Sequence, residues 1–553
     1  MRVYEALAEA IPEAGIDVVF GLMGEGNLEL ISCLCASERI RYYATRHEAG
    51  AVGMADGFSR VTGAVGVCSV TQGPGFTNAL TALTAAARNG SRVLLLLPDT
   101  PRGEETHPQK IDVPAVVAAV GSTLVDLTDA DAAVDAFATA FAAARNGTVV
   151  FRMPNDLQKL EYPGNSTRSA PADTVVLTQA LPSAAAVEAA ADLIERSERL
   201  VLLAGRGAIA AGAKSELLEL ANRIGAVTAT SLQAKGWFDE DPYGIGIFGG
   251  FASSLGTELI QEADCVLAFG ASLNSWQTRT GELLDGVTVV QCDTDSTAFG
   301  RYAAAPTLAL HADAAATARV LAEELARRGH SSRGFRNDDV RRRLAEHDPL
   351  DDFVDESTEG NLDPRAAVIA LDRALPRDRT LVVDGGHFTG FPCMYMSVPE
   401  PAAFVFAIDF GSTGLGLGTA IGAAIGQPDR PVVLVVGDGG LMMSIAELET
   451  IGRYKLPIII AVLNDGALSS EAHHLRIRGL PADAAYHEVP PLASVAQAVG
   501  LRGLTVATPE DLAALKDQDF ESPTLIDVLI DGDVLADWFA SFARRAAEAG
   551  HWT

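Results

Sequence analysis

The stretch Val432–Gly466 constrains the fold more than any other part of the chain. An apolar segment, Val432–Val436, leads into Gly437-Asp438-Gly439; a second, Ile458–Leu463, leads into Asn464-Asp465-Gly466. Both segments are short and rich in β-branched residues, as fully buried strands are. Between them Leu441, Ile445, Leu448 and Ile451 recur at three- and four-residue steps, which predicts one face of a single helix. Strand, helix, strand is a crossover that lays both strands parallel in one sheet. Asp438 and Asn464 then emerge at the same carboxyl edge, where open α/β sheets take their ligands. A carboxylate, an amide oxygen and the Gly466 carbonyl suit Mg²⁺, which prefers hard oxygen donors. Gly437, Gly439 and Gly440 let the backbone approach a diphosphate and present N–H groups at a helix start.

The chain of 553 residues has room for several such units. Its 48% apolar and 21% charged content is that of an ordinary globular protein. A net charge of −30 argues against nucleic acid and anionic membrane surfaces as partners. No apolar run approaches the roughly 18 residues of a membrane span, and the first residues lack a basic-then-apolar pattern. The expectation is a soluble cytoplasmic protein. Cys33-x-Cys35 has no His or further Cys nearby, so free thiols are expected rather than zinc.

Residues 1–160 read as a first α/β domain. Helix 4–14 and strand 17–20 precede the loop holding Gly24 and Glu25. A strand ends near Thr45, helix 48–60 opens at Glu48, and strands follow at 92–97 and 148–153. Residues 161–183 read as a linker. Residues 184–327 give a second unit, with strands at 200–204, 226–230, 265–269 and 288–292. A charged linker over 328–362 leads to a third domain, 363–535, with helix 364–374, strand 380–383, the Val432–Gly466 unit and strand 524–529. Helix 534–548 closes the chain. The fold class expected is α/β, with three doubly wound parallel-sheet domains.

Gly437-Asp438-Gly439 through Asn464, together with Arg46-His47-Glu48-Ala49-Gly50, resembles the thiamine-diphosphate-dependent enzymes. The likeness is strongest to the acetolactate synthase and 2-hydroxyacyl-CoA lyase branch. It implies thiamine diphosphate with Mg²⁺ held by Asp438, Asn464 and Gly466, and Glu48 as the carboxyl group that tautomerises the aminopyrimidine. Thr71–Asn78 is similar to the family's TSGPGATN loop, which implies cofactor contacts from Gly73, Pro74 and Asn78, with Gly24 and Glu25 alongside. His387 matches a Gly-x-His near the cofactor. Ile408–Gly418 matches the loop beneath the thiazolium ring, where Thr413 or Leu415 would prop the bent cofactor. Ser469, Ser470 and His473 fall where the synthases shape the acceptor pocket, with Glu471 among them as a further candidate for proton transfer, and His107 and Gln109 lie in a loop that faces substrate in relatives.

In the synthases the middle domain carries FAD, and in some acyl-CoA relatives ADP. Here Ser272 replaces an Arg that contacts FAD and no GxGxxG occurs, so a structural middle domain is expected, with FAD or ADP as the alternative. The resemblance implies a homodimer or homotetramer with active sites at the subunit interface. It implies an acetolactate-synthase-like carboligase on 2-keto acids; the alternative is a 2-hydroxyacyl-CoA lyase or 2-keto acid decarboxylase. A reading from another class is a catalytically idle relative that binds nucleotide or partners.

Overall fold

The computed structural model describes residues 1–164, 180–301, 305–331 and 334–540. Most of the linker expected over 161–183, and the helix expected over 534–548 beyond residue 540, lie outside the described residues.

Three six-stranded sheets follow one another, and every strand pairing within them is parallel. The first contains β1 (Val18–Gly21), β2 (Arg41–Ala44), β3 (Gly66–Ser69), β4 (Val93–Asp99), β5 (Thr123–Asp126) and β6 (Val149–Pro154), in the order β2-β1-β3-β4-β6-β5. The second contains β7 (Leu200–Ala204), β8 (Val227–Thr230), β9 (Gly244–Ile247), β10 (Cys265–Phe269), β11 (Thr288–Asp293) and β12 (Leu308–His311), in the order β12-β11-β10-β7-β8-β9. The third contains β13 (Thr380–Val383), β14 (Phe404–Phe406), β15 (Val432–Gly437), β16 (Ile458–Asn464), β17 (Arg502–Val506) and β18 (Thr524–Leu529), in the order β14-β13-β15-β16-β18-β17.

The outer sheets therefore share one topology, and the middle sheet has the other common doubly wound order. In each outer sheet the chain reverses its direction of winding between the first and third strands, a switch point that opens a crevice at the carboxyl edge. In the third sheet that crevice lies between the loops after β13 and β15; in the first, between those after β1 and β3.

Several expectations are corrected. β3, β5, β9, β12, β14 and β17 were not read as strands: they have three to five residues each, and most lie at or near sheet edges. The single helix expected between β15 and β16 is two, Asp438–Ser444 and Glu447–Tyr454. Leu441, Leu448 and Ile451 are buried as the spacing requires, whereas Ile445 marks the break and is only partly covered. The charged linker over 328–362 includes a helix, Asp338–Glu346, docked to the middle domain through Arg343 and Glu258, 2.6 Å apart.

The outer domains pack on each other directly. Helix Glu48–Thr62 lies against helix Gly416–Gly426, the two occupying equivalent places in the two topologies. One apolar core runs through both domains, from Phe20 and Val52 to Ile421, Leu434 and Ile460. Backbone meets backbone: a Cβ on Gly57 would lie 2.0 Å from the Thr419 carbonyl oxygen, and one on Gly422 would lie 1.9 Å from that of Met54. Arg60 fastens the contact, its buried guanidinium bridging Asp56 (3.0 Å) and Asp409 (2.6 Å).

Candidate active site

At the switch point of the third sheet, β15 delivers Asp438 and β13 delivers Asp384-Gly385-Gly386-His387. Asp438 is 1% exposed, and burial pushes its carboxyl above the usual range while His487 opposes that shift. On the next strand Asn464 is buried and donates from Nδ2 to Asp527 Oδ1 at 2.8 Å. Its amide oxygen is thereby turned toward Gly466, whose N–H lies 3.3 Å from it. Gly466 has φ +64°, a left-handed conformation that side chains disfavour.

A cavity opens here, lined by Gly385–Phe388, Gly411, Thr413, Gly437–Gly440, Asp465, Leu468–Glu471 and His474, with Trp276 of the middle domain and Trp538 and Phe539 closing one side. Cβ atoms on Gly437, Gly439 and Gly440 would come within 3.1 Å of Phe388, 3.0 Å of Leu468 and 2.9 Å of Asp384. A side chain is thus crowded at all three positions, most of all at Gly440. A buried carboxylate, an amide oxygen turned from its carboxylate partner and a loop carbonyl with one lone pair spare fit Mg²⁺, and the glycine backbone at the start of helix Asp438–Ser444 fits a phosphate. Among the described residues no cluster of three or more His, Cys, Asp or Glu forms a metal site.

Thr413 lines the cavity and donates to Met443 Sδ at 3.3 Å. Leu415 does not; it packs into the apolar core, so of the two candidates only Thr413 faces the cavity. Asp384, passed over in the sequence, holds this loop. Its carboxylate accepts from the Gly414 N–H at 2.9 Å, and burial pushes it up to about 6 against further backbone donors. His387 lines the cavity, and its Nε2 accepts from the Ala536 N–H at 3.1 Å, so the neutral ring carries its proton on Nδ1. Burial holds His387 down to about 3, helped by His473 and His474.

Ser469 donates to Asp465, whose carboxyl burial raises to about 6. On helix Ser469–Ile477 the phase differs from expectation. His473 is 4% exposed and tucked against His387, ring centroids 4.4 Å apart, whereas its neighbour His474 lines the cavity beside Glu471. The aromatic wall of Trp276, Trp538 and Phe539 was also missed; each comes from a segment far along the chain from the motif.

The other predicted residues gather at the switch point of the first sheet. Glu48 opens its helix, and its Oε2 accepts from Asn78 Nδ2 at 3.1 Å. Gly75 lies beside Glu48 Oε1, and a Cβ there would meet the Thr71 methyl at 2.8 Å. Gly24 and Glu25 lie across the crevice, where a Cβ on Gly24 would meet Thr71 at 2.6 Å. Gly73 packs on Gln109, whose Oε1 accepts from Gln72 at 2.7 Å. His107 accepts from the Gln109 N–H at 3.1 Å and so props the loop. Glu25, Pro74 and Asn78 are exposed. No residue of 1–164 lines the cavity at Asp438.

Glu447, also missed, ties the two halves. It is 1% exposed, and its Oε1 accepts from the Arg46 and His47 N–H groups at 2.9 and 3.0 Å, just ahead of Glu48. In the middle domain Ser272 accepts from Asn274 Nδ2 at 3.1 Å. Gly205, Gly207 and Gly270 there bring two turns into backbone contact.

The paired outer domains are thus doubly wound with one topology, one presenting a glutamate and the other oxygen donors beside a glycine cradle. Family models agree along the chain. Residues 1–116 match the N-terminal thiamine pyrophosphate binding domain, 187–321 the central domain and 384–528 the C-terminal binding domain. A probable 2-ketoarginine decarboxylase of Pseudomonas aeruginosa is 31% identical over 84% of this chain and 82% of its own. A probable acetolactate synthase large subunit of Methanocaldococcus jannaschii is 26% identical over 96% and 92%. A sulfoacetaldehyde acetyltransferase of Castellaniella defragrans is 28% identical over 93% and 89%. The chain belongs to the thiamine pyrophosphate enzyme family, in its acetolactate-synthase-like branch. No helix of the described residues is long and apolar enough to cross a membrane.

Proposed function

We infer that this protein is a thiamine-diphosphate- and Mg²⁺-dependent carboligase of the acetolactate synthase type, acting on 2-keto acids. The observation that carries the reading is the convergence of Asp438, the Asn464 amide oxygen and the Gly466 carbonyl on one glycine-lined edge, with Glu48 at the matching edge of the sister domain. Asp438, Asn464 and Gly466 would hold the metal against the diphosphate. Thr413 would support the ring system from below. When bound, thiamine diphosphate supplies the electron sink for breaking or making a bond next to a carbonyl.

Glu48 would face the aminopyrimidine nitrogen with Oε1 while Asn78 holds Oε2, so one proton has a defined oxygen to occupy. Phe391, Trp538 and Phe539 line one side of the cavity together with the 42%-exposed Trp276, and His387, kept neutral, can donate a hydrogen bond from Nδ1 without adding charge. Because Glu48 does not reach its own chain's cavity, the complete site needs the Glu48 half of a second chain, and a homodimer is the smallest competent unit.

A second reading is favoured by Ser470, Glu471 and His474 on the cavity wall: a decarboxylase or 2-hydroxyacyl-CoA lyase in which these groups return a proton instead of admitting a second carbonyl. The test is product analysis after incubating the protein with thiamine diphosphate, Mg²⁺ and pyruvate. Acetolactate supports the carboligase. Acetaldehyde alone, or no reaction with pyruvate despite bound thiamine diphosphate, moves the assignment to the second reading. Failure to bind thiamine diphosphate overturns both.

A further inference from the structure

Each of the three groups read as metal ligands has its outward-facing polar atom, or a spare lone pair, engaged by a residue outside the Gly437–Gly466 motif. Two residues account for all three contacts. Asp527, buried in the middle of β18, accepts from Asn464 Nδ2 at 2.8 Å. His487 donates its backbone N–H to the Gly466 carbonyl at 2.9 Å, and its Nε2 lies 3.1 Å from Asp438 Oδ2.

The chemistry of each contact has one sense. An amide placed against a carboxylate turns its NH₂ toward it, so Asp527 leaves the Asn464 oxygen on the side of Gly466, whose N–H lies 3.3 Å from it; a flipped amide would set oxygen against oxygen. A carbonyl has two lone pairs, and the His487 N–H occupies one of those on Gly466, which aims the other. An imidazole N–H on Oδ2 fixes the plane of the Asp438 carboxylate and leaves Oδ1 for a cation.

The backbone explains why His487 stays in place. The segment through Tyr486 pairs antiparallel with Ala467, and the Leu468 N–H donates to the Ala485 carbonyl at 2.8 Å. The loop that carries His487 is thus zipped to the loop that carries Gly466. Asp527 is held by the β16–β18 pairing, in which Asn464 lies opposite Leu529 and Val462 opposite Asp527.

We propose that Asp527 and His487 are positioning residues that pre-aim the three oxygen donors of the metal site, and that neither binds the metal itself. This rests on the ligand assignment made under the proposed function. Groups that orient metal ligands typically contribute about 10- to 100-fold in metal affinity. The milder replacements keep the hydrogen-bonding groups: the isosteric Asp527→Asn still offers an oxygen to Asn464, and His487→Gln, though not isosteric, still offers an N–H to Asp438.

The experiment titrates Mn²⁺ as a paramagnetic stand-in for Mg²⁺ into the full-length, metal-stripped protein with excess thiamine diphosphate. Free Mn²⁺ is read by electron paramagnetic resonance, at a temperature where each metal-free variant is folded by circular dichroism. Asp527→Leu and His487→Ala are expected to weaken Mn²⁺ by about 10- to 100-fold, and Asp527→Asn and His487→Gln by less than tenfold. Wild-type affinity in His487→Ala and Asp527→Leu overturns the proposal. If Asp527→Leu does not fold, Asp527→Ala takes its place beside His487→Ala, whose loop side chain is 38% exposed, and wild-type affinity in both overturns the proposal. Electron spin echo modulation from a directly bound nitrogen in the wild-type complex, lost in His487→Gln, would make His487 a ligand and also overturn it. Wild-type protein that retains no Mn²⁺ with thiamine diphosphate is a different failure, because it removes the ligand assignment itself.

Discussion

Gly53 and Gly57 lie one turn apart on the helix that Glu48 opens, and replacing each by alanine should have opposite effects. Mid-helix glycine costs roughly 0.5–1 kcal/mol relative to alanine. At Gly53 a new Cβ would sit 3.6 Å from the nearest atoms, the backbone of Gly418 and Thr419, which is ordinary contact. Gly53→Ala should therefore recover most of that propensity and stabilise the protein by about 0.5 kcal/mol. At Gly57 the Cβ would lie 2.0 Å from the Thr419 carbonyl oxygen, a full 1.0 Å inside the 3.0 Å that real Cβ atoms keep. That oxygen belongs to the backbone of helix Gly416–Gly426, so no side chain can rotate away and the two helices must part. Overpacking of this kind costs about 1–3 kcal/mol, outweighing the propensity gain. The assay is urea denaturation of both variants beside the wild type, comparing midpoints of the first transition, since a three-domain chain need not unfold in one step. Gly57→Ala should fall below the wild type and Gly53→Ala should match or exceed it. Equal midpoints, or a more stable Gly57→Ala, would refute the direct backbone contact between the outer domains.

Three further outcomes are expected. Glu48→Gln should lower turnover by about 10²–10⁴-fold, the usual worth of a positioned acid or base, while calorimetry shows thiamine diphosphate still bound; turnover close to wild type would remove Glu48 from proton transfer. Stripping divalent metal with EDTA should abolish thiamine diphosphate binding and adding Mg²⁺ should restore it, with Asp438→Asn failing to recover; tight metal-free binding would count against the ligand set. Asp384 gives a pH dependence of known sign. Its native carboxyl, raised from 3.8 to about 6, stabilises the fold when protonated, so the contribution is complete below 3.8 and fades as pH rises through about 6. Thermal melting of the metal-free protein across that window should show the wild type losing stability relative to Asp384→Asn as pH rises; parallel curves would mean that Asp384 is not desolvated.

Much of this architecture can be read directly from residue patterns. The apolar runs before Asp438 and Asn464 are uninterrupted, β-branched and fully buried, which is why β15 and β16 and their carboxyl-edge residues are legible. Helix phase is less so. On helix Ser469–Ile477 a single residue step rotates a side chain by about 100°, enough to exchange His473 for His474 at the cavity. The short strands near the sheet edges escape notice because a few residues carry no period. The groups that brace the site, Asp384, Glu447, His487 and Asp527, look like ordinary acids and a loop histidine in sequence; only burial and contacts made far along the chain distinguish them. The same holds for Trp276, which the middle domain brings to the cavity of another domain.

Subunit complementation tests the central claim, an active site assembled from the Glu48 half of one chain and the Asp438 half of another. Glu48→Gln and Asp438→Asn proteins, each inactive alone, are mixed, allowed to exchange subunits and checked for mixed assemblies by native mass spectrometry. Turnover in the mixture is the predicted result, because one site of each mixed pair then carries both intact halves. Confirmed exchange without any return of activity would contradict the account and place Glu48 and Asp438 in the service of different sites.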